Sequence, residues 1–278
     1  MNKIDTLDLF PVLTTELVKL LKGISISDWN KPSPIKGRTV KDLVSHLIDS
    51  SLRRLSIQRD KYTGKTVKVD IKSYADLVEY IQFLNKEWMK TTERLSPQII
   101  LELLEYSESQ LYDFFKTLDP EGKAIFPVQW AGEEESKNWF DIAREYTEKW
   151  HHQMQIRLAL NKPLLMDRKF TEPLYNTFML GLPHLYREMK NYPAGETIII
   201  TLTGNLNKDW FLEKKDDKWE LTDKLEKEAN TQIRFPERDA WVIFTNTDRD
   251  KEKYKSKINI VGDIKLGYKL IDFVAVLS

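Results

Sequence analysis

The chain has no cysteine, and that single absence removes several chemistries at once. Without thiols there is no disulfide framework, no protein thiolate nucleophile and no cysteine-ligated zinc, so any metal must be held by His, Asp and Glu. The absence also suits a reducing cytoplasm. Net charge is missing too: 43 basic residues cancel 43 acidic ones, which removes the simplest electrostatic case for nucleic acid or anionic lipid as principal partner. No apolar run approaches membrane-spanning length. The amino terminus, MNKIDTLDLFPVL, interrupts with charged and polar residues the apolar core that a signal peptide needs. The expectation is a cytoplasmic protein whose partners are small molecules, with no nucleic acid and no membrane, and with its oligomeric state open.

At 278 residues the chain exceeds the usual size of a single core, so two domains are expected. Leu7, Phe10, Leu13 and Leu17 recur at helical intervals over residues 5–22. After Gly23 the prolines and glycine of ISISDWNKPSPIKGR prevent regular structure. Thr39 then opens a second helix with Asp42 three residues on, a variant capping box. Val40, Leu43, Val44, Leu47 and Ile48 form its apolar stripe, and Arg53, Arg54 and Arg59 decorate its far end. Helical patterns follow over residues 73 to about 95 and, after Ser96-Pro97, as far as Phe115. Residues 116–137 lose the pattern. That connection is longer than most, which marks it as a functional lid or rim, with Trp130 and Trp139 as the aromatics placed for a pocket wall. The stretch AREYTEKWHHQMQIRLAL is a further helix, ended by Asn161-Lys162-Pro163.

Beyond that point the character changes. A helix is expected over residues 172 to about 191, strands at ETIIITLTG, DWFLEKKDDKWEL, AWVIFTN and KINIVGD, and a closing helix over residues 266–276. The fold class is therefore α plus α+β: an up-down helical bundle over residues 1–165, followed by a small α+β domain with a mainly antiparallel sheet over residues 166–278.

Histidine is scarce, with only His46, His151, His152 and His184. Glu148 and His152 lie four residues apart, so at about 3.6 residues per turn they share nearly one meridian of their helix. His46 sits just off the apolar stripe of the second helix. Two imidazoles and one carboxylate with an open position suit catalytic zinc or non-haem iron, and Asp42 or Asp49 could hold an outer imidazole nitrogen. The blander reading is a weak surface pair. His151, one turn from Glu148 on its other side, competes with His152, while His184, among leucines, reads as structural.

WNKPSPIKGRTVKDLVSHL resembles the W-x-x-P-S…G-W-T-V-x-D-L-x-x-H-L stretch of the DinB-like metal-binding bundles, in particular the amino-terminal domain of mycothiol-dependent maleylpyruvate isomerases. EKWHHQMQI resembles their last metal helix, where a Gln-Ile pair often follows the ligand histidine; Gln155-Ile156 thus favours His152 over His151. The second half is similar to the sterol-carrier-like α+β domain that accompanies the bundle in those isomerases. The resemblance implies that His46, Glu148 and His152 ligate a divalent ion, zinc or nickel, with Asp42 behind them. It also implies an enzyme that activates a low-molecular-weight thiol for isomerisation or transfer to a small electrophile. The alternatives are a metal-dependent hydrolase and a non-catalytic module carrying an apolar ligand. Arg38 stands where the family usually has Trp, a charge that would attract an acidic substrate. The isomerases hold substrate with a basic residue of the second domain, for which Arg234 and Arg238 are candidates.

Overall fold

The structure, a computed structural model, describes residues 3–62 and 73–276. The chain divides into two compact units, one built from residues 5–125 and 145–164, the other from residues 1–4, 126–144 and 165–278.

The first unit is helical. Helices α1 (Leu9–Lys22), α2 (Val40–Arg54), α3 (Tyr74–Thr92) and α4 (Pro97–Phe115) are joined by the later part of α5 (Asn138–Ala159). Their starts are written in the sequence. Thr39 and Asp42 cap α2 reciprocally, Ser73 and Asp76 do the same for α3, and Ser96 caps α4 with Pro97 in its first turn. These caps satisfy amide donors that have no partner inside the helix. The apolar stripes then meet in one core in which Val40, Val44, Ile48, Ile100, Leu104 and Ile156 are fully buried. Each such side chain contributes roughly 1.5–3 kcal/mol of transfer free energy. Trp88 ties α3 to α2 by donating from its indole nitrogen to the Ser45 carbonyl at 2.8 Å. After Arg54 the second helix loosens into a π-helical turn, Leu55–Arg59.

The second unit is α+β. Helices α6 (Arg168–Met179), α7 (Leu182–Tyr186), α8 (Glu237–Phe244) and α9 (Ile264–Lys269) accompany a five-stranded sheet. Its strands are β1 (Thr197–Thr203), β2 (Lys208–Lys215), β3 (Lys218–Thr222), β4 (Thr231–Pro236) and β5 (Asn259–Val261), in the order β3-β2-β1-β4-β5. All neighbouring pairs are antiparallel except β1 and β4. Ile198, Ile200 and Leu202 of β1 alternate into the core beside Ile233 and Phe235 of β4.

AWVIFTN is not a strand: Pro236 ends β4, Glu237 and Asp239 supply a helical first turn, and Ala240, Trp241, Ile243 and Phe244 bury at helical spacing as α8. The strand lies just before it, in TQIRFP. The helix expected over 172–191 breaks at Gly181, where a Cβ would meet Phe273 at 2.9 Å and Trp130 at 3.0 Å. The closing helix starts at Ile264 and gives way to a 3-10 turn, Leu270–Asp272. Trp130 is no pocket wall. It is buried edge-on against Phe140, Phe178 and Phe273 in the aromatic core of the second unit, while Trp139 is half-buried and stacks on Phe140.

Candidate metal centre

Full burial of Tyr146, Trp150, Met154 and Ile156 fixes the rotation of α5 about its axis. Glu148 and His152, one turn apart, lie off that apolar stripe and stay partly exposed on a helix otherwise buried from Glu145 to Arg157. On α2 the buried Val44, Leu47 and Ile48 do the same for His46. The bundle brings these edges together. One ligating atom from each of His46, Glu148 and His152 can be chosen so that all three lie within 4.8 Å of one another. The His46 and His152 rings are 4.7 Å apart, nearly perpendicular, and His152 Nε2 lies 3.5 Å from Glu148 Oε2.

The protonation pattern suits ligation. His152 Nδ1 donates to Gln155 Oε1 at 2.8 Å, which leaves Nε2, 3.5 Å from Glu148 Oε2, as the ring nitrogen on the ligand side. The His46 pKa is pushed well below its ordinary value by burial first and by the neighbouring His152 second, with Glu148 opposing. His46 is therefore neutral, the form that binds a cation. Two imidazoles and a carboxylate with ligating atoms within 4.8 Å of one another fit the donor set of a divalent transition metal.

His151 is placed differently. It is buried, its Nδ1 donates to the Thr147 carbonyl at 2.9 Å, its Nε2 is 3.9 Å from Glu148 Oε2, and burial lowers its pKa to about 3. Asp42 is not behind an imidazole. Its Oδ2 accepts hydrogen bonds from the Thr39 amide and hydroxyl, both at 2.8 Å, because three residues into the helix a carboxylate naturally folds back onto the cap. Asp49 pairs with Arg53 at 3.0 Å. The imidazole's outer partner is Gln155, which the three-residue spacing to His152 could have indicated.

Arg38 directs a guanidinium nitrogen at the Met89 sulfur, and burial lowers its pKa against the pull of Asp42. Arg234 and Arg238 are exposed in the second unit, on β4 and α8. His184 is half-buried and packs over Gly132, as a structural histidine.

Residues 10–157 match the model of the mycothiol maleylpyruvate isomerase N-terminal domain. Two crystal structures of mycothiol-dependent maleylpyruvate isomerase, one of them a histidine-to-alanine mutant, superpose with a TM-score of 0.54 at 11% identity, covering 95% of this chain and 95% of theirs. That likeness is one of fold. A UbiJ-SCP2 ubiquinone synthesis protein aligns with 37% of this chain and 96% of its own at 12% identity and a TM-score of 0.25. Among curated proteins none matches significantly. No helix among the described residues is long and apolar enough to cross a membrane.

Proposed function

Because the chain belongs to the mycothiol maleylpyruvate isomerase N-terminal domain family, we propose that it is an isomerase-type enzyme of that kind. In this reading His46, Glu148 and His152 hold a divalent cation, zinc or nickel, at which a low-molecular-weight thiol is activated for isomerisation of, or transfer to, a small electrophile. The observation that carries the reading is the convergence of three ligating atoms within 4.8 Å from two helices distant in sequence. A bound divalent cation would supply Lewis acidity, stabilising the thiolate form of a thiol at neutral pH.

The protein residues have separate tasks. Glu148 offsets part of the ion's charge, and His46 and His152 supply neutral nitrogen donors. Gln155 fixes the His152 tautomer and ring orientation, as outer hydrogen-bond partners of ligating imidazoles do. With no cysteine in the chain, the sulfur nucleophile must arrive from outside.

Elemental analysis of protein purified without chelators, followed by a panel of low-molecular-weight thiols in thermal-shift assays, tests both halves. Stoichiometric zinc or nickel, and a raised melting temperature with one thiol, are expected. Metal-free protein that cannot be reconstituted overturns the reading. A metal-loaded protein indifferent to every thiol overturns the thiol half and leaves water as the nucleophile. His152→Ala should lose the metal; full occupancy in that variant would remove His152 from the ligand set.

A further inference from the structure

A cluster of buried charge lies one residue from the candidate ligands. Lys149, which follows Glu148 on α5, is buried, as are Glu108 on α4, Glu145 on α5 and Arg54 on α2. The Lys149 ammonium, with three protons to share, lies within hydrogen-bond reach of four acceptors: Glu108 Oε1 at 2.8 Å, the Ser51 hydroxyl at 2.6 Å, Ser50 Oγ at 3.1 Å and the Leu47 carbonyl at 3.0 Å. The Ser51 hydroxyl in turn donates to Glu108 Oε1 at 2.7 Å. Glu145 stands 3.7 Å from both Lys149 and Arg54, and the Arg54 guanidinium lies over the Phe115 ring. Two positive and two negative groups cancel, which is the condition for keeping any of them out of water.

Placement makes the cluster informative. Leu47 directly follows His46, and Lys149 directly follows Glu148. One ammonium therefore joins α2 and α5 at the level of the candidate ligands. Apolar contacts alone are non-directional and tolerate small slides between helices, whereas hydrogen bonds between about 2.6 and 3.1 Å weaken steeply when their angles change. A buried ionic cluster is a poor source of stability compared with apolar side chains of equal volume, but it can specify register. We propose that Lys149, Ser51 and Glu108 are positioning residues that hold α2 and α5 at the separation and register the cation site requires. Helix α4 takes part through Glu108, although it supplies no member of the ligand set found among the described residues. This rests on the metal reading above.

The test is zinc affinity of the full chain, measured by competition with a chromophoric chelator, alongside thermal melts in EDTA. Single removal of Lys149 or Glu108 would strand the other charge, so the diagnostic variant is the double replacement Lys149→Met with Glu108→Leu, which preserves net charge. It should melt in EDTA within a few degrees of the wild type yet bind zinc about 10–100-fold more weakly, the range seen when support of metal ligands is lost. Wild-type affinity in a folded double variant overturns the proposal. Should the double variant fail to fold, Ser51→Ala decides: it removes the bridging hydroxyl alone and should weaken zinc binding about 10-fold, the low end of that range, and unchanged affinity again overturns the positioning role. A wild-type protein that binds no zinc or nickel would instead sink the metal reading itself, so the two failures are distinguishable.

Discussion

Gln155 Oε1 accepts a hydrogen bond from His152 Nδ1 at 2.8 Å, and this contact decides which nitrogen of the imidazole is left to face Glu148 and His46. Both residues lie on α5, three positions apart, so the support travels with the ligand on a single rigid element.

Gln155→Leu leaves Nδ1 without its acceptor while keeping side-chain bulk. Zinc affinity should fall about 10–100-fold with little change in the EDTA melting temperature, whereas Gln155→Glu, which retains an acceptor, should bind far more tightly than the leucine variant. Chelator competition on the three proteins checks this; equal affinities for wild type and Gln155→Leu would rule out the tautomer argument.

Leu104→Ala removes a fully buried side chain from the bundle core. Urea unfolding should show a loss of about 2–5 kcal/mol, transfer and cavity terms together. A loss below about 1 kcal/mol would mean that the core collapses around the deletion.

Gly132 has φ +83°, and a Cβ there would come within 2.3 Å of His184 Nδ1. Gly132→Ala should therefore destabilise by more than about 1 kcal/mol, from backbone strain and from the clash. Adding His184→Ala should recover only part of that loss in thermal melts. Full recovery would show that the backbone conformation costs nothing.

Glu172 gives a pH-dependent prediction away from the metal centre. Hydrogen bonds from Arg168 and Lys208 hold its pKa at about 2, against an ordinary 4.5. A depressed carboxylate pKa means that the folded state prefers the ionised form, so the contribution is complete above pH 4.5 and is lost as pH falls toward 2. The group is a third exposed, so the effect is at most about 1 kcal/mol. Glu172→Gln should be less stable than wild type at pH 7, with the gap closing through that window. A gap undiminished at pH 2 would contradict the assignment.

The helical half was legible because its signals are local. Thr39 with Asp42 and Ser96 with Pro97 announce helix starts, and the stripes of Val44, Leu47 and Ile48 state which face turns inward. His46, Glu148 and His152 could be singled out for the same reason, since helical periodicity places each off such a stripe. The α+β half was harder to read. AWVIFTN carries β-branched and aromatic residues that suit a strand, but Pro236 and the acidic residues after it set a helix start that outweighs propensity. The break at Gly181 depends on how closely Trp130 and Phe273 approach, a tertiary fact with no local trace. The Asp42 expectation failed because the carboxylate's own backbone neighbourhood satisfied it first. Nothing local marks Lys149 and Glu108 as buried, because each has its partner on a helix distant in the chain.

The margins of the sheet bear on how the protein behaves when concentrated. One outer strand, β3, is five residues long and carries Lys218 and Glu220 in an ion pair with each other; the opposite one, β5, has three residues and runs into Gly262. Short, charged rims are poor templates for a foreign strand. Self-association by strand addition at either rim is accordingly disfavoured.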